Sequence, residues 1–167
     1  MGRKSTKQNK NVYQETRESF GWSRERAAEE IAIIENGMYG YIDKNKLVKI
    51  EEESIKIQPE DIVALSKVYN KPELRNYYCC NQCDIGAIDA PEVTYNGSIH
   101  EILVNMAVSL ESVNSKKTRL MEILADGVVG GDEVGDLNKI LEQLEKISAT
   151  IEGIQLWCEK MKLLSDK

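Results

Sequence analysis

Four polar residues within six positions, Lys44, Asn45, Lys46 and Lys49, share a short segment with Ile42, Leu47 and Ile50. At helical spacing the apolar three fall on one side and the Lys/Asn set on the other. A short helix with one greasy side and one Lys/Asn side, held by neighbouring helices, has the shape of a major-groove reader. Its first turn would meet base edges, so Lys44 and Asn45 are the candidate readers, and Asn45 has the geometry to pair bidentately with adenine. Lys46 and Lys49 would hold phosphates, as would Arg24 with the backbone amides that open its helix. The alternative is that the same side chains are an ordinary solvated helix face.

A second basic concentration lies in residues 1–10, where Arg3, Lys4, Lys7 and Lys10 precede any acidic residue. High polarity without periodicity predicts a flexible arm there, able to track phosphates or enter a minor groove, or simply to keep the chain hydrated. The 167-residue chain as a whole carries a net charge of −6, so any DNA-binding surface must be local. No run approaches the roughly 18 apolar residues of a membrane span, and the start lacks the apolar core of a secretory signal. Four cysteines in a mostly helical chain do not form a disulfide scaffold, which predicts a cytoplasmic protein with reduced thiols.

The elements that must position these residues are helices. Val12 to Phe20 reads as a first helix ending near Gly21. Ser23 reads as the cap of a second helix over 24–34, with Ala27, Ala28 and Ile31 inward. Asp43 caps the reader helix, and Pro59 opens a fourth that carries Ile62, Leu65, Val68 and Tyr69. Residues 73–77 supply a last turn. Pro91 falls in a stretch, 85–97, without helical period, so a boundary is placed between about 77 and 97.

Beyond the boundary, Ile99, Leu103, Met106, Leu110, Val113, Lys117, Leu120 and Leu124 recur at alternating spacings of four and three. Leu137, Ile140, Leu144, Ile147, Ile151, Ile154, Cys158 and Met161 repeat the pattern after a Gly-rich turn. Two such seams predict an antiparallel helical hairpin that needs a further surface to cover it, with homodimerisation the expected solution. Lys117, a charge at a core-type position, would fix register or stoichiometry.

Cys79, Cys80 and Cys83 form the only cysteine cluster. Cys80-x-x-Cys83 is half of a zinc knuckle, and only His100 and the distant Cys158 are further Cys or His candidates. Small-residue packing beside Tyr77 and Tyr78, structural zinc and a redox switch are the three readings; Cys158 itself is expected to pack within the last seam. No phosphate-cradling loop, nucleophile elbow or paired-His motif is present, so no catalytic set and no cofactor is expected.

The segments SRERAAEEI, LVKIEEE and PEDIVALSKVY resemble the helix-turn-helix of lambda-repressor-like (Xre-type) regulators of Firmicutes. Ile50 and Glu51 stand where that family's reader helix ends in Ile-Glu. KPELRNYYCCNQCDIG is similar to a signature of one subset, in which a C-terminal helical region follows with a turn like Ala125-Asp126-Gly127. The resemblance spans nearly the whole chain. It implies an all-α fold: a helix-turn-helix domain over 11–77, a cysteine-bearing connector over 78–97 and a helical hairpin over 98–167. It also implies a bacterial, dimeric regulator of transcription that binds double-stranded DNA. The rival is a protein-binding module, an antirepressor or inhibitor, on the same fold. Between Ala28 and Ile50 lie about nine residues more than the compact motif needs, requiring a longer second helix or a loop near Gly37 and Gly40. Glu51, Glu52 and Glu53 would repel phosphate if they faced the duplex and be harmless beyond the groove.

Overall fold

A computed structural model describes residues 10–35, 41–93, 98–125 and 127–165, and every element among them is helical. The chain divides into two compact units, 1–78 and 79–167. No helix among the described residues is long and apolar enough to cross a membrane.

In the first unit α1 runs Val12–Ser19, α2 Arg24–Glu35, α3 Lys44–Glu51 and α4 Pro59–Val68; α5, Glu73–Gln82, begins in it. Local chemistry sets these limits. The Asn11 side chain accepts from the Gln14 amide to start α1, and Gly21, at φ +68°, turns the chain out of it. Ser23 accepts from the Arg26 amide, as its cap position predicts, and Asp43 accepts from the Lys46 amide at 2.7 Å to open α3. Pro59 occupies the first turn of α4 between Gln58 and Asp61, whose side chains cap it reciprocally. The extra residues before α3 go partly into a longer α2, which continues to Glu35; 36–40, with Gly37 and Gly40, lie outside the described residues.

These helices close over one core. Ala27 and Ile31 from α2, Leu47 and Ile50 from α3, and Ile62 and Leu65 from α4 are buried together, each aliphatic side chain contributing about 1.5–3 kcal/mol. Ala27 has no exposed surface, and α2 packs against both α3 and α4. Tyr69 packs its ring against Phe20 and Trp22, with centroids 5.8 and 5.9 Å away. Its hydroxyl is buried without a hydrogen-bond partner among the described residues, and burial, followed by the nearby Glu51 charge, raises its pKa. Tyr69→Phe removes an unsatisfied group without opening a void. It should raise the urea midpoint by an amount worth about 1 kcal/mol; a lower midpoint would mean that the hydroxyl is satisfied in solution.

In the second unit α5 runs on to Gln82, past the turn expected to end near Tyr77, so Cys79 and Cys80 are helical rather than part of an irregular connector. One helical turn, α6 (Gly86–Asp89), then interrupts the stretch expected to lack helix. The long helices are α7, Ile99–Ile123, and α8, Val134–Ser165, packed against each other. Arg119 pairs with Asp136 at 3.0 Å, while Gly153 lies beside Ile102.

The seam differs from the expected one by a rotation. Met106, Val113 and Leu120 face inward as read, but their partners are Ile102, Ser109, Lys116 and Ile123. Leu103, Leu110, Lys117 and Leu124 are exposed instead. In α8, Ile140 is buried as expected, whereas Leu144, Ile151, Cys158 and Met161 are exposed and Gly153 and Leu156 buried. The inner row includes Ser109 and Lys116 and is the less apolar of the two, so three-four spacing alone favours the other row, and tertiary packing chooses.

Candidate nucleic-acid interface

The α3 helix is fastened from behind by a buried charge network. Glu51, 1% exposed, accepts from Arg17 Nε at 2.6 Å and Nη2 at 3.0 Å, and from Arg24 Nε at 2.7 Å. Arg17, 5% exposed, also donates to the Trp22 carbonyl at 2.6 Å. Burial works to lower the Arg17 pKa, but the Glu51 hydrogen bond and charge, with Tyr69 and Glu18, leave it raised. One carboxylate near the end of α3 thus gathers α1 and the start of α2. The Asn11 side chain adds a 2.8 Å bond to the Ile50 carbonyl. A second buried carboxylate, Asp61 of α4, accepts from Lys46 at 2.6 Å and from the Gln58 amide at 3.3 Å.

The expected site residues therefore separate. Asn45 and Lys49, one turn apart, are exposed on the same face of α3. Lys44 is exposed and ion-paired with Glu25, whose own pKa is lowered by that hydrogen bond. Both partners are about half exposed, so the pair is weak and easily exchanged. Lys46 and Arg24 are each held by a carboxylate that is itself almost fully buried. Arg3 and Lys4 lie outside the described residues; Lys10, the last of the basic run, bonds Glu18 at 2.7 Å. Glu51 does not face solvent with Glu52 and Glu53, which are exposed.

The central role of Glu51 and Arg17 was not visible in the sequence reading, where Glu51 stood as one of three successive acids. The available signal was phase: Glu51 lies four residues beyond Leu47, on the apolar side of α3, whereas Glu52 does not. Charge is also unevenly divided. Residues 1–78 hold 14 basic and 13 acidic side chains, and 79–167 hold 8 and 15, so the net acidity belongs to the second unit.

Cys80 and Cys83 both engage nearby main-chain groups. The Cys80 thiol donates to the carbonyls of Ala90 and Pro91 at 3.7 and 3.6 Å, and the Gly86 amide donates to Cys83 Sγ at 3.4 Å. Burial, with Glu92 next, raises the Cys80 pKa, which disfavours the reactive thiolate. Among the described residues no group of three or more Cys, His, Asp or Glu is arranged to hold a metal ion. A groove of about 480 Å³ runs along α7 and α8, lined by Val93, Asn105, Ser109, Gln143, Lys146 and Thr150.

No family model, curated protein or solved structure matches the chain.

Proposed function

We propose that the first unit is a helix-turn-helix domain that binds double-stranded DNA sequence-specifically, and that the chain regulates transcription as a dimer through its C-terminal helical hairpin. The observation that carries this reading is the outward Asn45/Lys49 face on a two-turn helix whose opposite side is locked by Glu51, Arg17 and Arg24. A rigid short helix presenting an amide and an ammonium suits base-edge and phosphate contact at low ordering cost. The near-neutral balance of residues 1–78 removes the objection posed by the whole-chain charge. Lys44 joins the contact by exchanging Glu25 for phosphate. Arg24 donates to Glu51 through Nε, which leaves its terminal amino groups to a phosphate, and Arg3 and Lys4 follow the backbone. Lys46, tied to Asp61, serves chiefly to set the angle of α3 against α4.

The second reading, a protein-binding module without DNA affinity, draws on the same ion pairs: Lys44, Lys46 and Arg24 all have carboxylate partners within the unit. Selection from random duplexes with purified protein, followed by fluorescence anisotropy on the enriched sequence, separates the two. Asn45→Ala should weaken the selected duplex about 10–100-fold while sparing non-specific DNA, the scale of one lost bidentate base contact. Lys49→Ala should weaken all duplexes alike and reduce the salt slope by about one. No enrichment at low salt, or affinity indifferent to both substitutions, would leave the protein-binding reading.

A further inference from the structure

The rotation of the seam leaves each long helix with a second apolar stripe. On α7 it comprises Leu103, Leu110, Met121 and Leu124, and on α8 Val134, Leu141, Leu144 and Ile151, all between 38% and 64% exposed. Leu103, Leu110 and Leu124 each lie one residue beyond an inward residue (Ile102, Ser109, Ile123), and Leu141 lies one beyond Ile140. The contacts Arg119–Asp136 and Ile102–Gly153 have α7 and α8 running in opposite directions. Turning the same way about two antiparallel axes leads to the same side of the pair, so both stripes share one face. Groove residues Asn105, Gln143 and Thr150 each lie four before an inward residue, and Val93 packs on that opposite side. Glu92 and Val93 thus line the groove face, and the two stripes on the other face are exposed among the described residues.

We infer that this open face docks a second copy of the chain, forming a four-helix arrangement of two hairpins. Its eight exposed apolar side chains present on the order of 700 Å² per copy, close to the roughly 800 Å² per partner of a standard stable interface. That exceeds the apolar patches monomers usually leave exposed. Both stripes are heptad-spaced rows, so the face offers ridges and grooves that match its own copy under a two-fold axis. The unit carries 8 basic and 15 acidic side chains, yet Lys117 is the single charge within the two stripes. Like-charged units are thus kept apart everywhere except here, and Lys117 penalises pairings that would bury it away from solvent.

This deepens the dimeric part of the proposed function, and it is tested without DNA, so its failure is distinguishable from failure of the DNA reading. Sedimentation equilibrium of the full chain from 1 to 100 μM is expected to give twice the 18.9 kDa chain mass. Association should tighten with added salt, which screens the acidic repulsion, whereas phosphate contacts weaken with it. The double substitution Leu110→Glu/Leu144→Glu should weaken association at least about 100-fold with helical circular dichroism retained, since both residues are already half in water. Asn105→Glu, on the groove side, should leave the mass doubled. Lys117→Leu, which cannot unfold an exposed position, should tighten association about tenfold. A wild-type chain at 18.9 kDa throughout, or a dimer indifferent to Leu110→Glu/Leu144→Glu and to Lys117→Leu, would overturn the proposal.

Discussion

Glu51→Gln should cost the first unit about 3–5 kcal/mol, enough to unfold a marginal domain. The substitution conserves shape, so no cavity arises. What it removes is the carboxylate that accepts from both Arg17 and Arg24, at 2.6 and 2.7 Å. Arg24, about a third exposed, can turn to water. Arg17, nearly buried, keeps Glu18 at 3.7 Å, the Trp22 carbonyl and one neutral amide oxygen, while the new NH2 group opposes its other donors. An incompletely compensated guanidinium in the interior is what makes breaking a buried pair so costly. Urea unfolding followed by Trp22 fluorescence, in a Trp157→Phe background, reports this unit alone because Trp22 borders the network. The neighbouring Glu52→Gln, exposed, should change stability by no more than about 0.5 kcal/mol. The contrast between adjacent acids is the sharp part of the test: equal effects would mean that Glu51 is solvated. Replacing the pair together, as Arg17→Met/Glu51→Leu, should recover much of the loss, since the pair's net worth is far below the cost of splitting it.

That contrast also marks where the sequence stops being legible. Caps and breakers, which act through one or two residues, put Ser23, Asp43, Pro59 and Gly21 at the helix ends found in the structure. The core of the first unit follows from periodicity for the same local reason. The network on Glu51 joins residues 34 and 27 positions apart, and no local rule distinguishes it from its acidic neighbours except helical phase. The long helices failed differently. On pattern alone the row with Leu103, Leu110 and Lys117 is the more apolar of the two, so finding Ile102, Ser109 and Lys116 on the inner side instead needed the partner helix. A helix apolar over so wide an arc has more than one surface to cover, and the contact between α7 and α8 covers only one of them. The cysteines were ambiguous because a thiol serves packing, metal and redox roles alike. The structure adds their backbone partners, carbonyls beside Cys80 and an amide beside Cys83, which no spacing rule supplies.

The same backbone neighbourhood gives the second large expected effect, at Gly86. A Cβ there would lie 2.4 Å from the Cys79 carbonyl oxygen, 2.8 Å from its carbon and 2.9 Å from its Cα. All three are main-chain atoms of the α5 helix, so no rotamer change can make room. Either α6 lifts away or the last turn of α5 unwinds. Gly86→Ala should therefore destabilise the second unit by about 3 kcal/mol, the upper end of overpacking penalties, despite the better helix propensity of alanine. Gly135→Ala is the matched control. It lies inside α8 with nothing within 4 Å of its would-be Cβ, and should raise stability by about 0.5–1 kcal/mol through propensity alone. Cys80 supplies a local readout. Its thiol donates to Ala90 and Pro91 beyond α6, and burial holds its pKa up. If Gly86→Ala lifts α6, both restraints on the thiol are lost and its pKa falls toward the ordinary value. Alkylation of Cys80 near pH 8, followed by peptide mass spectrometry, should then accelerate, while exposed Cys158 reacts at its wild-type rate. A stable Gly86→Ala protein with a slow Cys80 would show that α5 and α6 do not meet backbone to backbone.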